Sequence, residues 1–153
     1  MDLQNEKLLD QIGLKIVSVL QENARMPLSR IGKKVGLSAP AVAERMRKLE
    51  AAGVIKGYHA RIAPEAVGRS VSAFIKLTTD PQNYKAVKAL AVDLRQIIAL
   101  HHISGEGSFI IYVLVGDLPG LEAVVEHLSP YGPTQTSIVL STAVDKTSMV
   151  PLQ

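Results

Sequence analysis

The sequence predicts an α+β protein in two parts: a winged helix-turn-helix head, then a βαββαβ domain of ferredoxin-like arrangement with both helices on one face of an antiparallel sheet. Three observations carry this expectation. Apolar residues recur at helical spacing as far as Gly53 and shift to strand-like alternation from Val71. A glycine turn at Gly36 separates two short helical patterns, the second of them rich in cations. The run Phe109 to Val115 is apolar at every position and is bounded by glycines. A boundary after Ile62 gives domains 1–62 and 63–153.

In the head, residues 1 to 9 are polar with scattered leucines and read as a lead-in or a short helical arm. Asp10 is an N-cap for a helix whose stripe is Ile12, Ile16, Val19 and Leu20. Pro27 opens the next helix, faced by Leu28, Ile31 and Val35, and Gly36 ends it. Ser38 can cap a third helix in which Pro40 tolerates the first turn and Gly53 is the stop. At about 100° per residue, Val42, Met46 and Leu49 share one face, while Glu44, Arg47 and Lys48 lie opposite, flanked by Ala41 and Arg45. Val54 to Ile62 reads as a short strand or an extended linker, closed by Pro64 and Gly68.

In the second part, Val71 to Thr78 is a strand of β formers. Asp80-Pro81 starts a helix carrying Tyr84, Val87, Leu90, Ala91 and Leu94. Ile97 to Ser104 and Ser108 to Val115 are strands joined by Gly105-Glu106-Gly107. Asp117 caps a helix with Leu121, Val124, Val125 and Leu128, and Thr134 to Thr142 is the last strand. Two helices cover one face of such a sheet. A third strand that is apolar on both faces therefore calls for a second cover, most simply the same sheet of another copy.

Composition bounds the function. The 153 residues are 47% hydrophobic, enough for a core, and no run of about 20 apolar residues indicates a membrane span. There is no cysteine, which removes thiolate catalysis and cysteine-bound zinc and fits a reducing, cytosolic setting. The net charge of +3 is unevenly placed: residues 1–62 hold eleven Lys and Arg against six Asp and Glu, a net of +5, leaving −2 for the rest. Between Arg25 and Arg61 nine cations face Glu44 and Glu50 alone, a local +7 that points to a polyanion.

A short helix, a tight turn and a second basic helix can lay that helix in the major groove of double-stranded DNA. Ser38, Ala39 and Ala41 are then expected near the groove floor, with Arg45, Arg47 and Lys48 on phosphates or base edges. Arg45 has a second role open to it, pairing with an acidic neighbour to brace the head. Glu44 is read as structural or as a base-edge acceptor. The remaining motifs indicate no enzyme. Gly-Glu-Gly lacks the downstream Lys-Ser/Thr of a phosphate loop, the four histidines form no triad, and His101 and His102 face opposite ways on a strand, so neither a metal site nor a cofactor is expected.

Taken together, Leu9-Asp10, Leu20-Gln21-Glu22-Asn23-Ala24-Arg25, Val35-Gly36-Leu37-Ser38, Glu44-Arg45, Leu49-Glu50 and Gly53-Val54-Ile55-Lys56-Gly57-Tyr58 resemble the head of the Lrp/AsnC, or feast/famine, transcription regulators. The second part is similar to that family's ACT-like amino-acid-metabolism regulation domain, with Thr134 to Leu140 resembling its last strand. The resemblance implies a DNA-binding homodimer, often assembled to an octamer, that acts in the cytoplasm and is tuned by a small molecule, frequently an amino acid. It places an effector pocket between dimers at Gly105, Glu106, Gly107 and Ser108, with hydroxyls from Thr134 and Thr136 if the last strand lies beside the turn. Two positions depart from the pattern. Gly13 stands where the family usually has Asp, which is expected to weaken the first helix. Ser108 stands where it usually has the Asp of Gly-x-x-Asp, so a neutral hydroxyl replaces a carboxylate.

Overall fold

The computed structural model of the protein describes residues 7–145 and Met149. The chain divides into two compact units: one runs to Ala60 and takes in the chain from Val144, and the other is Arg61–Ala143. That division falls two residues before Ile62 and, of the described residues near the end of the chain, groups Val144, Asp145 and Met149 with the head.

The first unit carries, among the described residues, α1 Gln11–Glu22, α2 Leu28–Val35 and α3 Ala39–Ala51. Most of the expected lead-in, residues 1–6, lies outside the described residues. The stripes read from the sequence become the core: Ile16, Ile31, Val42 and Leu49 are sealed from solvent, with Val19, Leu20 and Val35 beside them and Met46 partly buried. Asp10 caps α1, its Oδ1 accepting from the Gly13 amide at 2.7 Å. Gly36 closes α2 with φ 75°.

Two glycines are set by packing. A Cβ on Gly13 would lie 1.9 Å from the Leu8 carbonyl oxygen, and one on Gly32 would lie 2.3 Å from that of Leu37. Gly32 thus lets the turn into α3 close directly onto α2. Gly13 corrects the expectation that its effect is only to weaken α1: here it admits the backbone of the preceding turn, a gain that sets against the lost helix propensity. From Val54 to Ala63 the chain forms no regular element and pairs with no strand among the described residues, which is the linker of the two expected alternatives. Its start is fixed by the Val54 and Ile55 amides, both donating to Leu49 O.

The second unit has β1 Val71–Leu77, α4 Tyr84–Asp93, β2 Ile97–His102, β3 Phe109–Val115, α5 Leu118–Leu128 and β4 Thr134–Ile138. The order across the sheet is β2-β3-β1-β4, and every neighbouring pair is antiparallel. This is the βαββαβ arrangement. β4 stops four residues short of the expected Thr142, because its partner β1 begins at Val71 and the last bond, Val139 N to Ser72 O, uses up that edge.

Ala73, Ile75, Leu77, Phe109, Ile111, Val113 and Val115 pack with Val87 of α4 and Leu121, Val124 and Leu128 of α5. The helices lie on this face alone. On the other face Ile110, Tyr112 and Leu114 are half-buried, and Phe74, 44% exposed, meets Tyr112 with ring centroids 5.0 Å apart. β3 is therefore buried on one face within a single chain, and its second apolar face stays open.

Candidate nucleic-acid interface and effector turn

α3 presents one exposed stripe, Pro40, Glu44, Arg47, Lys48 and Ala51, at the i, i+4, i+7, i+8 and i+11 spacing of a single helix face. The residues expected on DNA are divided by it. Ser38 is exposed, but its hydroxyl faces inward as the cap, 3.4 Å from the Ala41 amide. Ala39 and Ala41 are half-buried flanks. Arg47 and Lys48 stand on the stripe. Pro40 was not among the expected contacts, and Glu44 was open as structural or as a base-edge acceptor; the helical period of the exposed positions marks both.

Arg45 takes the bracing role. Its Nη1 and Nη2 donate to Asp10 Oδ1 and Oδ2 at 2.8 and 3.0 Å, joining α3 to the N-cap of α1. Its side chain keeps 33% exposure, so the pair sits at the rim of the head. Arg45, led by its hydrogen bond, and then the Gly13 amide hold the Asp10 carboxyl below the usual carboxylate range. One carboxylate thus caps one helix and fixes another.

Glu44 organises the stripe. Its Oε2 accepts from Arg47 Nε at 3.0 Å and its Oε1 from Arg47 Nη2 at 2.8 Å, while Lys48 Nζ lies 3.5 Å from Oε1. The Arg47 hydrogen bond is the main cause that brings the Glu44 carboxyl down to about 2, and Glu44 in turn raises Arg47. Further cations line the head: Arg25, Arg30, Lys33 and Lys56 are exposed. Tyr58 donates to Glu50 Oε1 at 2.8 Å and ties the linker to the end of α3; desolvation first, and then that carboxylate, push its phenol up to about 12.

In the second unit, Gly105 and Gly107 turn the chain between β2 and β3 with φ of 97° and 95°, and Glu106 is exposed between them. Ser108 is 7% exposed, and its hydroxyl is engaged within the chain. It donates to Thr79 O at 2.8 Å and accepts from the Thr79 amide at 3.1 Å. Ser108 therefore holds the base of the turn. Thr79 completes the clasp by donating its own hydroxyl to Tyr131 O and accepting from Asn83 Nδ2 at 3.2 Å. No sequence pattern marks Thr79, since its partners come from three separate segments.

Thr134 and Thr136 lie opposite Leu77 and Ile75 of β1. β1 separates them from β3, about 10 Å away at two strand spacings, so the last strand does not lie beside the turn. His101 and His102 face opposite ways as expected; His102 packs on Tyr84 and Phe109 at centroid distances of 4.8 and 5.2 Å. Among the described residues no group of three or more His, Asp or Glu is placed to hold a metal, and no helix is long and apolar enough to cross a membrane.

Comparison with known proteins assigns both units. Residues 9–50 match the AsnC-type helix-turn-helix domain, and residues 72–149 match the Lrp/AsnC ligand binding domain. The chain is 37% identical over 135 residues to the uncharacterized HTH-type transcriptional regulator YezC of Bacillus subtilis, covering 88% of this chain and 96% of that one. Among solved structures it is similar to Bacillus subtilis LrpC, with TM-score 0.85, 30% identity, and coverage of 90% of this chain and 99% of that one. It is also similar to the feast or famine regulatory protein Rv3291c from Mycobacterium tuberculosis complexed with L-methionine, with TM-score 0.86, 33% identity, and coverage of 94% and 99%.

Two outcomes follow from this geometry. Ser108→Ala leaves the partly buried Thr79 amide without its acceptor and is expected to cost about 1 kcal/mol, read by urea unfolding; an unchanged midpoint would show that the clasp carries no stability. The paired carboxylates set an acid limit. Both carboxyls are depressed in the folded head: the Glu44 contribution is complete above its ordinary 4.5 and is lost as pH falls toward about 2, and that of Asp10 is complete above its ordinary 3.8 and is lost as pH falls below it. Arg45→Ala should lower the melting temperature at pH 7, and the gap from the parent protein should close as Asp10 is protonated. A gap that does not narrow at any pH below the ordinary 3.8 of Asp10 would contradict the brace.

Proposed function

The chain belongs to the Lrp/AsnC family of transcriptional regulators, and from that premise we propose that it binds operator DNA through α3 as a homo-oligomer whose state is set by an amino-acid effector. The observation that carries the reading is the exposed stripe of α3, with Arg47 and Lys48 on it, standing on a helical core that Arg45 braces. Ser38, Ala39 and Ala41 flank the groove-facing side. Arg25, Arg30, Lys33 and Lys56 add to the field that draws the phosphate backbone to the head.

The unit of action is a dimer closed over the open sheet face, with Phe74, Ile110, Tyr112 and Leu114 at its centre. Further assembly of dimers, up to an octamer, follows the family pattern. The setting is the cytoplasm, where the DNA is. The effector site is placed at Gly105, Glu106 and Gly107 with Ser108 beneath them, and it is completed between dimers. Thr134 and Thr136 belong to it only through a neighbouring copy, given the strand between them and the turn. The L-methionine in the Mycobacterium tuberculosis relative makes an apolar amino acid the first ligand to test. With the Ser108 hydroxyl engaged, the exposed Glu106 carboxylate is the group at this turn suited to meet an α-ammonium.

The test is binding to the DNA upstream of the protein's own coding region, measured by fluorescence anisotropy across a salt series. The parent protein should bind, with log K falling steeply against log salt. Arg47→Ala with Lys48→Ala should weaken binding at least tenfold and lower the slope by about 0.9 for each phosphate that a head no longer neutralises. Equal affinity and slope in the double variant would remove α3 as the interface.

A further inference from the structure

The stripe of α3 carries few groups able to read a base. Pro40 and Ala51 offer no side-chain hydrogen bond, Ala39, Ala41 and Ala43 offer only methyl groups, and the exposed Glu50 lies off the stripe and is engaged by Tyr58, so the stripe itself offers Glu44, Arg47 and Lys48 to a base edge. These three are arranged around one carboxylate. Glu44 meets the side edge of the Arg47 guanidinium, taking Nε and one hydrogen of Nη2. Of the five donors of an arginine this leaves three, both hydrogens of Nη1 and one of Nη2, and they include the parallel pair on the far edge. That pair fits O6 and N7 of a guanine in the major groove.

A carboxylate on a DNA-facing stripe repels phosphate, so its presence needs an offsetting gain. Orientation supplies one. A free arginine samples many rotamers and finds phosphates as easily as bases, whereas one held side-on by two hydrogen bonds presents its end edge in a single direction. Lys48, with its flexible stem and 3.5 Å separation from the same Glu44 oxygen, has no such constraint and suits a phosphate.

We infer that Arg47 is the base-reading residue of this head, specific for guanine, and that Glu44 is the positioning residue that aims it. The inference rests on the DNA-binding reading above and assigns the roles within it. Arg47 fixes one guanine in each half-site, Lys48 contributes affinity without preference, and Glu44 touches no base.

The experiment selects a consensus from a random duplex library with the parent protein, then measures affinity for every single-base variant of that consensus with the parent, Arg47→Lys, Glu44→Gln and Glu44→Ala. The parent should discriminate guanine at one position of each half-site by about tenfold or more. Arg47→Lys should flatten that position. Both Glu44 variants should weaken its discrimination several-fold while binding to non-consensus duplex rises, because a negative charge has gone. A role for Glu44 in stability alone would shift the melting temperature and leave the base profile intact, so an unchanged profile in the Glu44 variants overturns the inference. Lost preference at a cytosine, with the guanine position retained, would make Glu44 itself the reader and also overturn it. Failure of the parent protein to select any duplex would instead overturn the DNA-binding reading on which this inference stands.

Discussion

Two helices can cover one face of a four-stranded sheet and no more, and the organisation of this protein follows from that limit. α4 and α5 bury Ala73, Ile75, Phe109, Ile111 and Val113 completely. The opposite face carries Ile110, Tyr112, Leu114 and Phe74 at its centre, with Ser72, Lys76, Gln135 and Ser137 around them. An apolar centre within a polar margin is the anatomy of a protein interface. In the proposed dimer a self-complementary partner closes it with two-fold symmetry, which would supply two heads to one assembly and suit a repeated half-site in DNA. On that proposal the covering of a sheet and the bivalence of a regulator are one requirement met by one contact.

The head solves a different problem, keeping a small helical core rigid while leaving a cationic surface. Two of its acidic residues, Asp10 and Glu44, are placed where they hold arginines in position. Asp10 caps α1 and fixes Arg45 of α3, and Glu44 fixes Arg47 within α3. The local excess of +7 counted between Arg25 and Arg61 therefore overstates the charge α3 itself offers: Glu44, Arg47 and Lys48 together carry +1. In the proposed reading, attraction to the duplex comes from the whole head, and selectivity from the few groups on the stripe. These exposed pairs matter for orientation more than for stability, since water screens such contacts strongly.

Much of this was legible in the sequence because it is local. The helical stripes of Ile16, Ile31 and Leu49, the glycine stop at Gly36 and the alternation of β1 each depend on neighbours within a few positions. What escaped depends on distant partners. Arg45 meets Asp10 across 35 residues, a pairing that charge alone left open. Gly13 and Gly32 are required by carbonyls of Leu8 and Leu37 that arrive only when the backbone turns onto them. Thr79 joins β3, the chain before β4 and the start of α4, so its role exists only in the closed fold. The end of β4 was set too late because a strand's length is fixed by its partner, and β1 runs out at Val71. Thr134 and Thr136 fall away from the effector turn for a similar reason: only the strand order puts β1 between them.

The open sheet face is the feature on which the assembly, and with it the pairing of heads, depends. The direct measurement is light scattering of the protein carrying Phe74→Asp and Tyr112→Asp together, with circular dichroism to follow the fold. Both side chains lie on the uncovered face, so the variant is expected to keep its secondary structure, scatter as a monomer and bind a two-half-site duplex far more weakly than the parent protein. A folded variant that retained the oligomeric state of the parent would contradict this account.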